Sequence, residues 1–252
     1  NIGHIYKELG QWKNTIKNYK SALGIHLKLN NKLEKANSLY NIHLVYLYLN
    51  KPKKGLKKLK EAVKAFQEAL KVYTLDNFPL DYAGIQNNLG VAYSNLALVE
   101  DKVDNCNLAI QAHQEALRVK TINKFPINYA MTQNNLGVVY VTLSEIQDKV
   151  INCQLAIIAY QEALKVYTLD NFSLDYAGSQ NNLGNAYKCL SQVKDRVTNC
   201  KKAIQAHQEA LKVSTLDNFP IEYAMTQNNL GVAYNNLSQV EDRVNNCKKA
   251  IH

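Results

Sequence analysis

Asparagine pairs stand at one phase of the chain four times: Asn87 and Asn88, Asn134 and Asn135, Asn181 and Asn182, Asn228 and Asn229. Asn1 and Asn41 hold the second position of the pair in two earlier segments. A side-chain amide carries one acceptor oxygen and two donor hydrogens. A row of amides can therefore pair with the N–H and C=O groups of an extended peptide without reading its side chains. The competing reading is structural: the amides satisfy nearby helix ends or one another, and duplication has copied the arrangement. Each such contact contributes only about 1 kcal/mol, so several segments would have to act together. Variable positions would share the strip and set selectivity: Gly84, Met131, Gly178 and Met225 on one side, with Val91, Val138, Asn185 and Val232 one turn after the asparagines. Lys188 is the only basic residue there in the four later segments, which disfavours an acidic-tail ligand.

Thiol and imidazole groups offer a second chemistry. Cys106, Cys153, Cys200 and Cys247 recur, and His113 and His207 stand seven residues after two of them. A Cys–His pair suits zinc or nucleophilic work. The alternate segments hold Phe66 and Tyr160 instead of histidine, and no third ligand recurs. Packing is the expected role, with the recurring cysteines filling a repeated niche rather than doing redox chemistry. No P-loop, dinucleotide, HExxH or GxSxG pattern occurs. Catalysis, a cofactor and a resident metal are therefore not expected.

The elements that position these residues follow from an internal period. Asn-Leu-Gly occurs at 88–90, 135–137, 182–184 and 229–231, a step of 47, and Asn41-Ile42-His43 lies one step earlier. A tyrosine follows the Gly position by three in every copy, from Tyr6 and Tyr46 to Tyr234. Leu89, Ala92, Tyr93, Leu96 and Val99 fall on one face of a helix, helix A. Ala109, Ile110, His113, Ala116, Leu117 and Lys120 repeat the helical period with a polar end, helix B, and residues 100–105 are expected as the turn between them. Asp76-Asn77-Phe78-Pro79 announces the next helix A, with Asn77 as cap and Pro79 in the first turn. Ser173 replaces that proline once. A helix pair cannot bury its apolar faces alone, so successive pairs must stack.

This pattern resembles the tetratricopeptide repeat. Ile2, Gly3, Tyr6, Gly10, Tyr19 and Ala22 match that family's consensus without insertion, and later copies match through Leu89, Gly90, Tyr93, Ala109, His113 and Ala116. The resemblance implies an all-α, right-handed solenoid of antiparallel helix pairs. It also implies a protein-binding scaffold, because arrays of this family that grip extended peptides place Asn at this position. The units are expected at 1–31, 32–78, 79–125, 126–172, 173–219 and 220–252, as one array. The later repeats exceed the roughly 34-residue family unit by about 13 residues, of which about seven fall inside the pair and about six between pairs. Each helix is expected to gain about one turn, with a bulging loop as the alternative. Repeats of this longer form resemble arrays of large bacterial and archaeal proteins. Tyr-Ala-Gly at 82 and 176 alternates with Tyr-Ala-Met at 129 and 223, which reads as duplication of a pair of units.

Composition bounds the rest. The chain has 252 residues, 46% hydrophobic and 20% charged, too apolar for a disordered chain. Ten Gly and four Pro are too few for a sandwich or barrel of many short strands. No apolar run or leader pattern supports a membrane span or secretion, and five cysteines make a poor disulfide framework, so a cytoplasmic location is expected. The net charge of +9 is local: residues 1–74 hold 15 Lys against four acidic groups. Lys51, Lys53, Lys54, Lys57, Lys58, Lys60 and Lys64 form its densest part, expected to spread over a solvated helix. With no stacking aromatic set beside them, nucleic acid is not the expected partner. The chain starts and stops inside the pattern and reads as an excised piece, whose uncapped ends are expected to fray or to self-associate.

Overall fold

The computed structural model describes residues 11–251. The expected matches at Ile2, Gly3, Tyr6 and Gly10, and the expected fraying of the first helix and at His252, lie outside them. All regular structure among the described residues is α-helical, and the fold is a tetratricopeptide-like solenoid of helix pairs. The chain divides into two compact units, one ending at Val119 and one beginning at Lys120.

The first unit holds α1 (Trp12–Lys28), α2 (Lys32–Tyr48), α3 (Pro52–Leu70), α4 (Pro79–Ala97) and α5 (Lys102–Leu117), each packed on the next. Its core begins with Tyr19, Ile42 and Val45, closed over by Trp12, Ile16 and Leu23. Trp12 stacks on Tyr48 with ring centroids 4.4 Å apart. Phe66, Leu59 and Ile85 continue the buried layer.

The second unit holds α6 (Pro126–Ser144), α7 (Lys149–Leu164), α8 (Ser173–Ser191), α9 (Arg196–Leu211), α10 (Pro220–Ser238) and α11 (Arg243–Ile251). Here the A helix α8 touches both α6 and α10, and α7 and α9 each sit between their own A helix and the one that follows. Cys200, Ala203, Ile204, Leu230, Ala233 and Leu237 form a core under Tyr187 and Tyr234. The alanines let backbones approach, and the aromatic and branched side chains fill the remaining volume.

From α4 on, every complete A helix runs 19 residues and every complete B helix 16. Pro79, Pro126 and Pro220 open their helices, where the missing N–H costs nothing. The cap itself differs from expectation: Phe78 stands at the N-cap position, and Asn77 instead donates its backbone N–H to the Thr74 hydroxyl, 3.4 Å away.

The corner between A and B is residues 98–101, shorter and earlier than the sequence suggests. Val99 lies past the helix end and is 62% exposed, so it belongs to the corner and not to the apolar face. Asp101, Asp148, Asp195 and Asp242 adopt φ of 43°, 47°, 44° and 40°, a left-handed conformation that Asp tolerates better than most residues. Asn105 is helical and buried: its N–H bonds the Asp101 carbonyl and its side chain donates to the Glu100 carbonyl, both at 2.9 Å. Asn152, Asn199 and Asn246 do the same at 2.9, 2.8 and 2.7 Å from the side chain.

Candidate binding site

The paired asparagines of the second unit reach in opposite directions. Asn181 faces forward along the stack: its Oδ1 accepts from Asn229 Nδ2 of α10 at 3.2 Å. Asn182 faces back, donating from Nδ2 to Asn134 Oδ1 of α6 at 3.5 Å, and the Ser179 hydroxyl donates to the same oxygen at 3.2 Å. A ladder of amides thus runs α6, α8, α10. In the first unit Asn88 Nδ2 donates to Asn37 Oδ1 at 3.3 Å, and Asn95 Nδ2 to the Tyr40 hydroxyl at 2.9 Å.

Inside the ladder the amides differ in what they keep. Asn87 is buried, 4% exposed, so it is enclosed rather than presented. Asn134 and Asn181 spend their oxygens on neighbours. Asn182 and Asn229 use one N–H each and, among the described residues, make no other hydrogen bond, leaving an acceptor oxygen and a second N–H on half-buried side chains. Asn41 and Asn135, also half-buried, make none among the described residues, and Asn228 is exposed.

Asn185 and Lys188 continue the Asn182 line along α8 at one-turn intervals. The Asn185 oxygen is buried with no partner. Lys188 is half-buried, and burial draws its ammonium below the ordinary lysine range, opposed by the Cys189 sulfur. The partly desolvated Lys188 cation on this helix face gains by meeting a polar ligand, and the enclosed Asn185 oxygen would do so once its amide turned outward. Beside them, Met131 and Val138 of α6 are 38% and 41% exposed, and Met225 and Val232 of α10 are 58% and 39% exposed. A recess of about 240 Å³ opens between the starts of α8 and α10, lined by Leu174, Gly178, Asn181, Ser214, Met225 and Thr226 among others.

The histidines are packing groups. Both His113 and His207 are wholly buried, each over the glycine of its own A helix: a Cβ on Gly90 would lie 2.7 Å from the first ring and one on Gly184 2.5 Å from the second. Tyr160 takes the same place over Gly137. His207 Nδ1 lies 3.1 Å from Asn181 Oδ1, which makes that nitrogen the donor. Burial first, and the nearby Lys188 charge second, lower its pKa to about 4. The imidazole is thus the neutral inner support of an amide whose oxygen also holds Asn229. Sequence reasoning missed this link, although the 26-residue spacing from Asn181 to His207 recurs from Asn87 to His113.

The lysines of α3 depart from expectation. Lys53, Lys57, Lys60 and Lys64 are all exposed and share one recess with Leu56 and Glu61, so part of the cluster forms a stripe. Lys60 pairs with Glu100 at 2.8 Å and Lys58 with Glu61 at 2.6 Å, which trims its net charge. Among the described residues, no group of three His, Cys, Asp or Glu could hold a metal ion, and no helix is long and apolar enough to cross a membrane.

Residues 177–220 match the family model described as the tetratricopeptide repeat. No curated protein matches the sequence. Among solved structures, BtubC from P. vanneervenii is 18% identical, with a TM-score of 0.55 over 95% of this chain and 87% of that one. MamA is 20% identical, with a TM-score of 0.50 over 80% of this chain and 91% of that one. Identities at this level speak to the shared helical fold alone.

Proposed function

We propose that this chain, whose repeat belongs to the tetratricopeptide repeat family, is a non-catalytic protein-interaction scaffold that grips an extended peptide segment along its A helices. One observation carries the reading: Asn182, Asn185 and Lys188 occupy successive turns of one partly exposed face of α8, with unspent amide capacity, between the exposed Met and Val residues of α6 and α10. The amides would pair with peptide N–H and C=O groups. The apolar positions and the recess beside Met225 would select among side chains. Asn134 and Asn181, together with His207, would hold the presenting amides in place, so the structural and binding roles divide between the two members of each pair.

The test is a peptide-array screen comparing the intact chain with an Asn135→Ala, Asn185→Val double variant. Neither side chain makes a hydrogen bond among the described residues, and valine stands at position 185's equivalents 91, 138 and 232. The fold should therefore be unaffected while captured peptides weaken by roughly tenfold, which is about 1.4 kcal/mol. Equal capture by both chains would remove the reading. If concentration-dependent self-association accompanied that result, it would favour an architectural spacer instead.

The lysine stripe on α3 supports a second reading, contact with an acidic partner or a phosphate backbone. That reading requires binding that falls steeply with salt and is lost on changing Lys53, Lys57 and Lys64 together.

A further inference from the structure

Cys189 is the cysteine that breaks the 47-residue rule. Its equivalents are Asn95, Thr142 and Asn236, whereas Cys153 belongs to the recurring set. Cys153 of α7 meets this position on α8, 36 residues on. In the sequence the residue 36 positions after Cys106 is Thr142 and that after Cys200 is Asn236, so among these three this spacing brings a second cysteine only after Cys153. There the Cys153 thiol donates to Cys189 with the sulfurs 2.8 Å apart, and the Ser144 hydroxyl lies 3.3 Å from the Cys189 sulfur. A disulfide needs about 2.05 Å, so less than an ångström of further approach closes the bond.

We infer that Cys153 and Cys189 are a redox-active thiol pair that closes, on exposure to a peroxide, into a reversible disulfide tying α7 to α8. Access assigns the roles. Cys189 is half-buried and reachable, while Cys153 is fully enclosed. The hydrogen bond from Cys153 first, then that from Ser144 and the Lys149 charge on the facing helix, favour the Cys189 thiolate against burial and Glu145, and the Cys153 thiol is pushed up by the same contact.

The chemistry balances. The Cys189 thiolate attacks one peroxide oxygen, the O–O bond breaks, and the other oxygen leaves as water after taking the proton lost by the thiol. The resulting sulfenic acid is then displaced by the Cys153 sulfur, whose proton leaves with the hydroxyl as a second water. Two thiols lose two electrons, and the peroxide gains them. The buried partner within bonding reach resolves the sulfenic acid before a second peroxide can carry it to the irreversible sulfinic stage. The bond would join a B helix to the A helix of the next repeat, one turn past Asn185. It is independent of whether that strip binds peptide.

The experiment uses the full chain, reduced, freed of reductant and treated with hydrogen peroxide, then digested without reduction for peptide mapping. Expected is one intrachain disulfide joining the Cys153 and Cys189 peptides, with the loss of two hydrogens, full reversal by dithiothreitol, and Cys106 and Cys200 still thiols. The melting temperature should rise by roughly 5 °C or more, as a cross-link that closes a loop of this length restricts the unfolded chain. Cys189→Thr installs the residue of the preceding repeat, and its Cys153 should stay reduced under the same treatment. Sulfinic acid accumulating at Cys189, pairing of Cys153 with the other cysteines at equal frequency, or no reaction in the wild-type chain would each overturn the inference.

Discussion

The Gly184 backbone lies beneath the His207 ring so closely that a Cβ placed there would come within 2.5 Å of it, while a Cβ on Gly178, two turns earlier on the same helix, would meet nothing within 4 Å. The two glycines therefore respond oppositely to alanine. Gly178→Ala should stabilise the protein by about 0.5 to 1 kcal/mol, the ordinary helix gain. Gly184→Ala should destabilise it by about 1 to 3 kcal/mol, because a fully buried ring has nowhere to move. Urea unfolding midpoints of the two variants give the comparison.

Acid should loosen the second unit through His207. The unfolded chain takes up its proton near the ordinary value of 6.5, whereas the folded imidazole resists until about pH 4. Between those values the unfolded state binds more protons, so stability present at neutral pH is lost as the pH falls through that window, by at most about 3 kcal/mol. His43 in the first unit is shifted in the same direction by burial and adds to the trend. His207→Tyr, which copies Tyr160, should flatten the pH dependence of the melting temperature. An unchanged slope between pH 7 and 4.5 would refute this.

Ser173 stands where three other A helices begin with proline, and the residue before it shows the consequence: Phe172 has φ of 80°, against −139° to −141° at Phe78, Phe125 and Phe219. A residue before proline is held in extended backbone. Ser173→Pro should therefore return Phe172 to the geometry of its equivalents, relieve a left-handed aromatic residue and add roughly 1 kcal/mol of stability. A lower denaturation midpoint would show that the surrounding loop depends on the left-handed turn.

A tyrosine at the start of α4, α6 and α8 clips the B helix of its own pair: Tyr82 donates to Glu115 at 2.7 Å, Tyr129 to Glu162 at 2.8 Å and Tyr176 to Glu209 at 3.0 Å. The Glu162 carboxyl is held below its usual range first by Lys165 and then by Tyr129. Tyr129→Phe should cost about 1 kcal/mol and move the Glu162 titration upward. Carboxyl chemical shifts followed against pH would report the change directly.

The repeat made the stacked helix pairs legible, because the positions of Leu89 and Ala92 are buried in every later copy, Tyr93 and its equivalents are at least half-buried, and their spacing survives duplication. The same feature hid what differs between copies. Cys189 and Ser173 carry no periodic signal, so their roles emerged only once α7 met α8 and Phe172 showed its φ. Corner residues were misjudged for another reason: Asp101 reverses the chain through a left-handed conformation that composition alone does not mark, and this pushed Asn105 into the helix and Val99 out of it. The amide strip was visible as asparagines at one phase. The division between anchoring and presenting members depended on whether a neighbour lay ahead or behind.

At every A-to-B bend from Asp101 onward, the aspartate carbonyl and the residue before it are held by an asparagine only a few positions further along the chain. The backbone carbonyls of each bend are thus fastened from its own stock of atoms, while its side chains also reach neighbouring helices, as Glu100 does to Lys60 and Glu241 to Lys201. Crossing-over between misaligned copies can therefore insert or delete whole hairpins without spoiling any elbow, which gives this gene a ready way to change the reach of its product.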